Sequence, residues 1–226
     1  MTVLHLADEG EAADFSAFLS RLLHYDRGAA VRLQAAGTAL AVFGRPPSFE
    51  VLAIRAVRLA KPYEDGLDVT LDVTVSAGEL LERVDEAAAT AAVPAAVTGP
   101  PWTGVLPPRV GWRPETGLPA PDALRAMVGA AVAEFRRRTE ELAPERRTRA
   151  ELDRIGREIW SRTVGDTGLP VRAVHAAQSL GFLRPTVTAP QDAGLFSCGA
   201  WLRLRTPYGS IAVRRSGLGG LDLSVR

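Results

Sequence analysis

Between Val93 and Pro121 the chain places eight of its sixteen prolines: Pro94, Pro100, Pro101, Pro107, Pro108, Pro114, Pro119 and Pro121. Each proline removes a backbone donor and fixes φ near about −65°, so no regular helix or central strand runs through this stretch. It therefore divides the 226 residues into two parts. A free linker has no use for large aromatic rings, yet this one carries Trp102 and Trp112 among Val105, Leu106 and Val110. The expectation is an ordered arm over 93–121, packed along its flanking units, with Trp102 and Trp112 as its interface residues.

Upstream, Phe15, Phe18, Leu19 and Leu22 recur at i, i+3, i+4 and i+7 and predict an amphipathic helix over 11–25, stopped at Gly28. The period then shortens. AVRLQA, ALAVF and VLAIRAVRL, separated by Gly37-Thr38 and Pro46-Pro47, read as consecutive antiparallel strands. Over Leu67–Val75 apolar residues alternate with Asp and Thr, the pattern of a strand with one wet face. Ser76 and Glu79 then form a capping box for a helix whose apolar face runs through Leu80, Leu81, Val84, Ala88 and Ala91. Residues 1–92 thus form an acidic α+β unit, with a possible extra strand at Val3–Ala7.

Downstream, Leu124, Met127, Val128, Ala131, Val132 and Phe135 mark a helix over 122–142. A second capping box, Thr148 and Glu151, opens a helix with a stripe of Leu152, Ile155, Ile159 and Trp160. Pro170 and Gly181 bracket a third helix at Val171–Leu180. AWLRLR, the turn at Thr206–Gly209 and SIAVRR form a hairpin with Leu202, Leu204, Ile211 and Val213 inward, and Leu221–Val225 offers another short strand. The fold class is α+β: helix, antiparallel meander and helix, then the arm, then a unit over 122–226 of three helices and a basic β-hairpin.

A net charge of +1 hides a polarity. Residues 1–92 hold 8 basic and 14 acidic side chains, net −6, whereas 170–226 hold 7 and 2, net +5. Such asymmetry points to a polyanion contact, to docking between the two ends, or to docking between two copies. A single cysteine, Cys198, forms no internal disulfide, and His5, His24 and His175 lack metal-ligand spacing. No cofactor or metal is expected. MTVLHLADEGEAADF has no basic segment leading a run of roughly 7–15 apolar residues, and no run reaches about 18. A cytoplasmic protein without a membrane span is the expectation.

Motifs for catalysis fail on spacing. Gly217–Gly220 lacks the pattern of a nucleotide-binding loop, Cys198 has no assignable His partner, and the pairs Glu140-Glu141 and Glu64-Asp65 have no apolar pocket. Arg136–Arg138 and Arg146-Arg147 lie at helical spacing from glutamates and pair along a solvated face. The helix–turn–helix–hairpin order over 149–215 resembles winged helix-turn-helix DNA-binding modules. That resemblance implies that Arg172, His175 and Gln178 face the groove while Arg203, Arg205, Arg214 and Arg215 contact phosphates.

The arginine and alanine usage, with GFLRP at 181–185 and AWLRLRTPYGSIAVRR at 200–215, resembles uncharacterised conserved proteins of high-GC actinobacteria, a likeness that carries no activity. Residues 11–92 resemble half of a type VII secretion chaperone, which implies a sheet and helices binding a helical client. The leading functional expectation is a non-enzymatic interaction or adaptor protein that self-associates or takes a protein partner. A nucleic-acid-binding regulator is the alternative, and a small-molecule enzyme with a pocket beside Trp102 and Trp112 is a further one.

Overall fold

The computed structural model describes residues 2–61, 71–185 and 193–215. Strand β1 (Val3–His5) leads into α1 (Glu9–Tyr25), then β2 (Ala30–Ala36), β3 (Ala39–Gly44), β4 (Leu52–Arg58) and β5 (Leu71–Ser76). Helix α2 (Ala77–Glu82), β6 (Val84–Asp85) and β7 (Thr90–Ala92) complete the N-terminal part. After the arm come β8 (Arg113–Glu115), α3 (Pro121–Glu140), α4 (Arg149–Trp160), α5 (Val171–Ser179), β9 (Gly194–Cys198), β10 (Trp201–Thr206) and β11 (Gly209–Arg214). The fold is α+β, with antiparallel pairing throughout both described sheets.

Helices α1, α2 and α4 start where the sequence offers side-chain acceptors to orphan amides. Asp8 accepts from the amide of Glu11 at 2.7 Å, Ser76 from Glu79 at 3.3 Å and Thr148 from Glu151 at 3.3 Å. Helix α5 stops at Gly181, whose φ of +78° suits glycine. The amide of Phe182 then turns back to the carbonyl of Ala177 at 2.7 Å. Its ring enters the core against Phe18, with ring centroids 5.7 Å apart.

The larger sheet has the order β5-β2-β3-β4-β11-β10-β9-β8. Its N-terminal and C-terminal strands meet where β4 pairs with β11, with Leu52, Ala53 and Ile54 opposite Ala212, Ile211 and Ser210. One core follows from that junction. Leu33, Val42 and Ala53 from one half join Leu204, Ile211 and Val213 from the other, and α1 and α5 cover them with Phe15, Leu19, Val174 and Ala177.

Two expectations change. The helix foreseen as far as Ala91 ends at Glu82, and the chain forms β6, a turn and β7, which pairs with β1. Asp85 accepts from the amide of Ala88 at 2.9 Å and Ala89 adopts a left-handed φ of 49°. This local side-chain bond competes with helical pairing, and the reversal brings Ala91 opposite Leu4 in the core. The second change concerns the wing. The β10–β11 hairpin is interior to the sheet, flanked by β9 and β4, and does not project as a free ribbon. Residues Leu67–Thr70, the pair Glu64-Asp65, Gly217–Gly220 and the strand foreseen at Leu221–Val225 lie outside the described residues.

The arm crosses the sheet face opposite the helices. Its Val97 amide bonds to Thr74 on β5 at 2.9 Å, and at the far side β8 pairs with β9. Between these ends, Trp102 and Leu106 pack on Phe43, Leu52, Ile54 and Ala212. Arg32, itself clamped to Asp72 at 2.7 Å, donates to the Thr103 carbonyl, and Arg109 donates to Gln34 at 3.1 Å.

On the helix side, a buried ion pair ties three elements together. Arg55 of β4 donates to Glu11 of α1 at 2.6 Å and to the Tyr208 carbonyl in the β10–β11 turn at 2.8 Å. The Arg55 and Glu11 side chains are only 8% and 6% exposed. Removing one member of such a pair strands a buried charge, at a cost of about 3 kcal/mol or more. Arg58 also contacts Glu11 but is 69% exposed, where pairing contributes under about 1 kcal/mol. Denaturant unfolding should therefore show Glu11→Ala destabilised by about 3 kcal/mol and Arg58→Ala by less than about 1 kcal/mol. Equal losses for the two variants would contradict this assignment.

Candidate functional site

Side chains alternate across a strand, so burying Leu202, Leu204 and Thr206 under the helices turns Trp201, Arg203 and Arg205 to the opposite face of β10. Three of the four cross-strand neighbours of Arg203 and Arg205 are small. Arg205 stands between Ser210 and Gly194, and Arg203 between Ala212 and Phe196. The small neighbours leave a shallow floor, and Phe196 and the arm raise walls around it. The result is a hollow of about 850 Å³ that gathers Arg203, Arg205, Trp112, Phe196, Ile54 and Pro207.

Trp112 is positioned by its own arm, its indole N–H donating to the Pro108 carbonyl at 2.8 Å. The Arg203 guanidinium lies over that ring, 5.7 Å from its centroid. Arg203 is half-buried, and its Nε is shielded from water without a hydrogen-bond acceptor. Burial first, and the neighbouring charge of Arg205 second, push its pKa down from the ordinary arginine value. Neither effect approaches removing the charge at neutral pH. A cation stripped of part of its water and set beside a second cation gains from an anion placed between them.

This situation differs from that of many arginines of the helical region. Four of them are matched: Arg138 to Glu158 at 2.7 Å, Arg162 to Glu134 at 2.6 Å, Arg154 to Glu151 at 2.7 Å and Arg137 to Glu141 at 2.8 Å. Arg203, Arg205, Arg214 and Arg45 have no ion pair among the described residues, and Arg214 only covers the Trp201 ring at 5.5 Å. Arg203, Arg205 and Arg214 thus leave unpaired positive charge on the arm side of the sheet.

A second hollow, about 380 Å³, opens beside Trp102 and Trp201 and is rimmed by Arg45, Arg172 and Arg214. A third, about 500 Å³, lies among the helices and holds His175, Trp160, Phe49 and Arg157, with Arg172 on its edge. His175 is clamped between Trp160, stacked at 4.6 Å, and Phe49, edge-on at 5.0 Å. Arg203, Arg205 and Trp112 therefore converge on one hollow and Arg172, Arg214 and Trp102 on another. Gln178 is exposed and, with Arg215, lies outside all three; Arg215 pairs with Glu115 at 3.0 Å.

Arg172 and His175 do not form an outward-facing recognition surface, because α5 lies against β11 and α3 with both residues turned into hollows. Sequence reasoning passed over Trp201 and Phe196 as site residues. Strand alternation pointed to both: each is large and apolar at a position whose neighbours along the strand face the core.

These features define a two-part α+β protein whose halves share one antiparallel sheet, crossed by an ordered arm that frames basic, aromatic hollows. Residues 1–104 match the family model described as Domain of unknown function (DUF8010), and residues 107–218 match Domain of unknown function (DUF8185). The two matches meet inside the arm, on either side of Val105 and Leu106. No curated protein matches the chain. Among the described residues, no helix is long and apolar enough to cross a membrane.

Burial holds His175 below the ordinary histidine value of 6.5, so the folded chain takes up this proton less readily than the unfolded one. The resulting stability is present above that value and is lost as pH falls through the window below it. The thermal midpoint should fall as pH is lowered from about 7 to about 5.5, and His175→Phe, which keeps a ring between Phe49 and Trp160, should flatten that slope. A slope unchanged in the variant would show that another group is responsible.

Proposed function

We propose that this protein acts by binding rather than by catalysis, as an interaction or adaptor protein of the cytoplasm. Its arm-side sheet face takes an acidic segment of a protein partner. The observation that carries this reading is the hollow at Arg203 and Arg205: two arginines without carboxylate partners among the described residues, one half-buried over Trp112, in a space of about 850 Å³ whose described walls hold no acidic residue. Charged-group complementarity of this kind supplies specificity and a fast association rate. Arginine and tryptophan are also the side chains that most often dominate binding energy. The lone Cys198 accords with a reducing compartment.

An acidic polypeptide suits this site better than a nucleic acid. Arg203 is recessed between the arm and the strands with the exposed Arg205 beside it, where a single carboxylate side chain reaches both. A duplex needs a projecting helix or ribbon to follow its groove, whereas α5 and the β10–β11 hairpin are both packed into the fold.

Fluorescence anisotropy of a labelled deca-glutamate peptide and of a labelled oligo-dT, titrated with the full chain at low and moderate salt, tests the proposal. The peptide should bind, the binding should weaken as salt rises, and Arg203→Ala with Arg205→Ala should reduce affinity by about tenfold or more, about 1.4 kcal/mol. Gln178→Ala should leave it unchanged. Absence of peptide binding at low salt would overturn the proposal, and tighter binding of the oligonucleotide through the same arginines would replace it with the nucleic-acid reading.

A further inference from the structure

The hollow beside Trp102 is chemically distinct from the basin at Arg203. Its walls are mostly apolar, built by Trp102 and Val105 from the arm and by Leu52, Trp201 and Ala212 from the sheet, around about 380 Å³. That volume falls within the range of small-molecule sites, and such sites are apolar with few fixed polar groups. Here the polar groups are three arginines, Arg45, Arg172 and Arg214, against one carboxylate, Glu50.

The carboxylate is a poor counter-ion. Glu50 is 74% exposed and its nearest oxygen stands 3.9 Å from Arg172 Nε, beyond hydrogen-bonding distance. The Arg172 Nε is shielded from water and has no acceptor. Glu50 reaches even this position from a left-handed backbone, φ 51°, at the end of the short 3-10 helix Pro47–Phe49, a conformation that costs a non-glycine residue free energy. Arg214, meanwhile, spends its charge on the face of Trp201. A rigid aromatic lining, an under-compensated arginine at its inner edge and two further arginines at its mouth are complementary to one kind of small molecule.

We propose that this hollow is a binding site for a small aromatic anion. Its planar ring lies among Trp102, Trp201 and Leu52, and its single acidic group meets Arg172 and Arg214, displacing the weak Glu50 contact. This site is separate from the Arg203 basin and stands or falls independently of the interaction with an acidic partner. The recognition is by shape and charge together. Neither a neutral aromatic molecule nor an inorganic anion satisfies both halves of the site.

The test is a fluorescence titration of the full chain with 8-anilinonaphthalene-1-sulfonate, an aromatic ring system with one acidic group, set beside N-phenyl-1-naphthylamine, its uncharged counterpart. The sulfonate should bind saturably at one site and at least about tenfold more tightly than the amine. Trp102→Ala and Arg214→Ala should each weaken it by about fivefold or more, and Arg205→Ala, in the other hollow, should not. Glu50→Gln removes the competing carboxylate and should tighten binding by about twofold or more, an outcome that loss of folding does not mimic. Circular dichroism of each variant separates local from global effects. Non-saturable uptake, equal affinity for the two dyes, or sulfonate binding indifferent to Trp102, Arg214 and Glu50 would overturn the proposal.

Discussion

The pairing of β4 with β11 is the constraint on which the rest depends. Three residues from each strand, Leu52–Ile54 and Ser210–Ala212, close the ladder that makes one sheet from two sequence-distant parts. Without it, β4 and β11 each present an unpaired edge, and the inner faces carrying Ala53 and Ile211 lose their shared cover of α1 and α5. The Arg55 pair with Glu11 reinforces the junction from the helix side, since the same guanidinium reaches the turn between β10 and β11. The site follows from the junction as well. Leu52, Ile54 and Ala212 support the Trp102 and Leu106 plug, and the hollows open on either side of it.

That dependence explains why the two halves match separate family models and yet build one surface. The arm leaves the β5 edge of the N-terminal strands and becomes β8 at the far edge of the C-terminal ones, so it spans the whole sheet. Proline limits helix in it to the short 3-10 turn Pro101–Gly104, and an otherwise extended chain of about 3 Å per residue has the reach to cross eight strands spaced about 4.8 Å apart. The polarity of the sequence is divided by this geometry. Arg172 and Arg184 turn toward Glu50 and Asp14 of the acidic N-terminal part, whereas Arg203, Arg205 and Arg214 stay on the arm side with no such partner. The near-neutral total therefore coexists with a locally basic face.

Much of the local structure was legible in the residues because short-range physics decides it. The capping groups Ser76 and Thr148, the stripe of Phe15 to Leu22 and the alternation of Leu202, Leu204, Ile211 and Val213 each act over one turn or one hairpin. The α2 region misled for the same kind of reason: Ala88 and Ala91 fit a helical stripe, but the Asp85 turn and the open side of β1 decide the outcome. Long-range pairing was not legible. Nothing local in SIAVRR distinguishes a free wing from a strand bonded to Leu52–Ile54, more than 150 positions away. Arg172, Arg203, Arg205, Arg214, Trp102 and Trp112 were named from sequence and Arg45 and Trp201 were not; the grouping of all of them into separate hollows depends on that pairing, as does the aromatic clamp of Phe49 and Trp160 on His175.

The two halves form one sheet as a unit, and hydrogen exchange resolved to single amides measures this directly. Sheet amides that open only with the whole fold exchange at the global free energy. Amides in the β4–β11 ladder, those of Leu52–Ile54 and Ser210–Ala212, should exchange at the same free energy as those of Val42 and Leu204 deep in the two halves. Exchange at the ladder through a low-energy opening, with the two halves retaining separate protection, would show that they are independent domains and that the arm-side face is not a single surface.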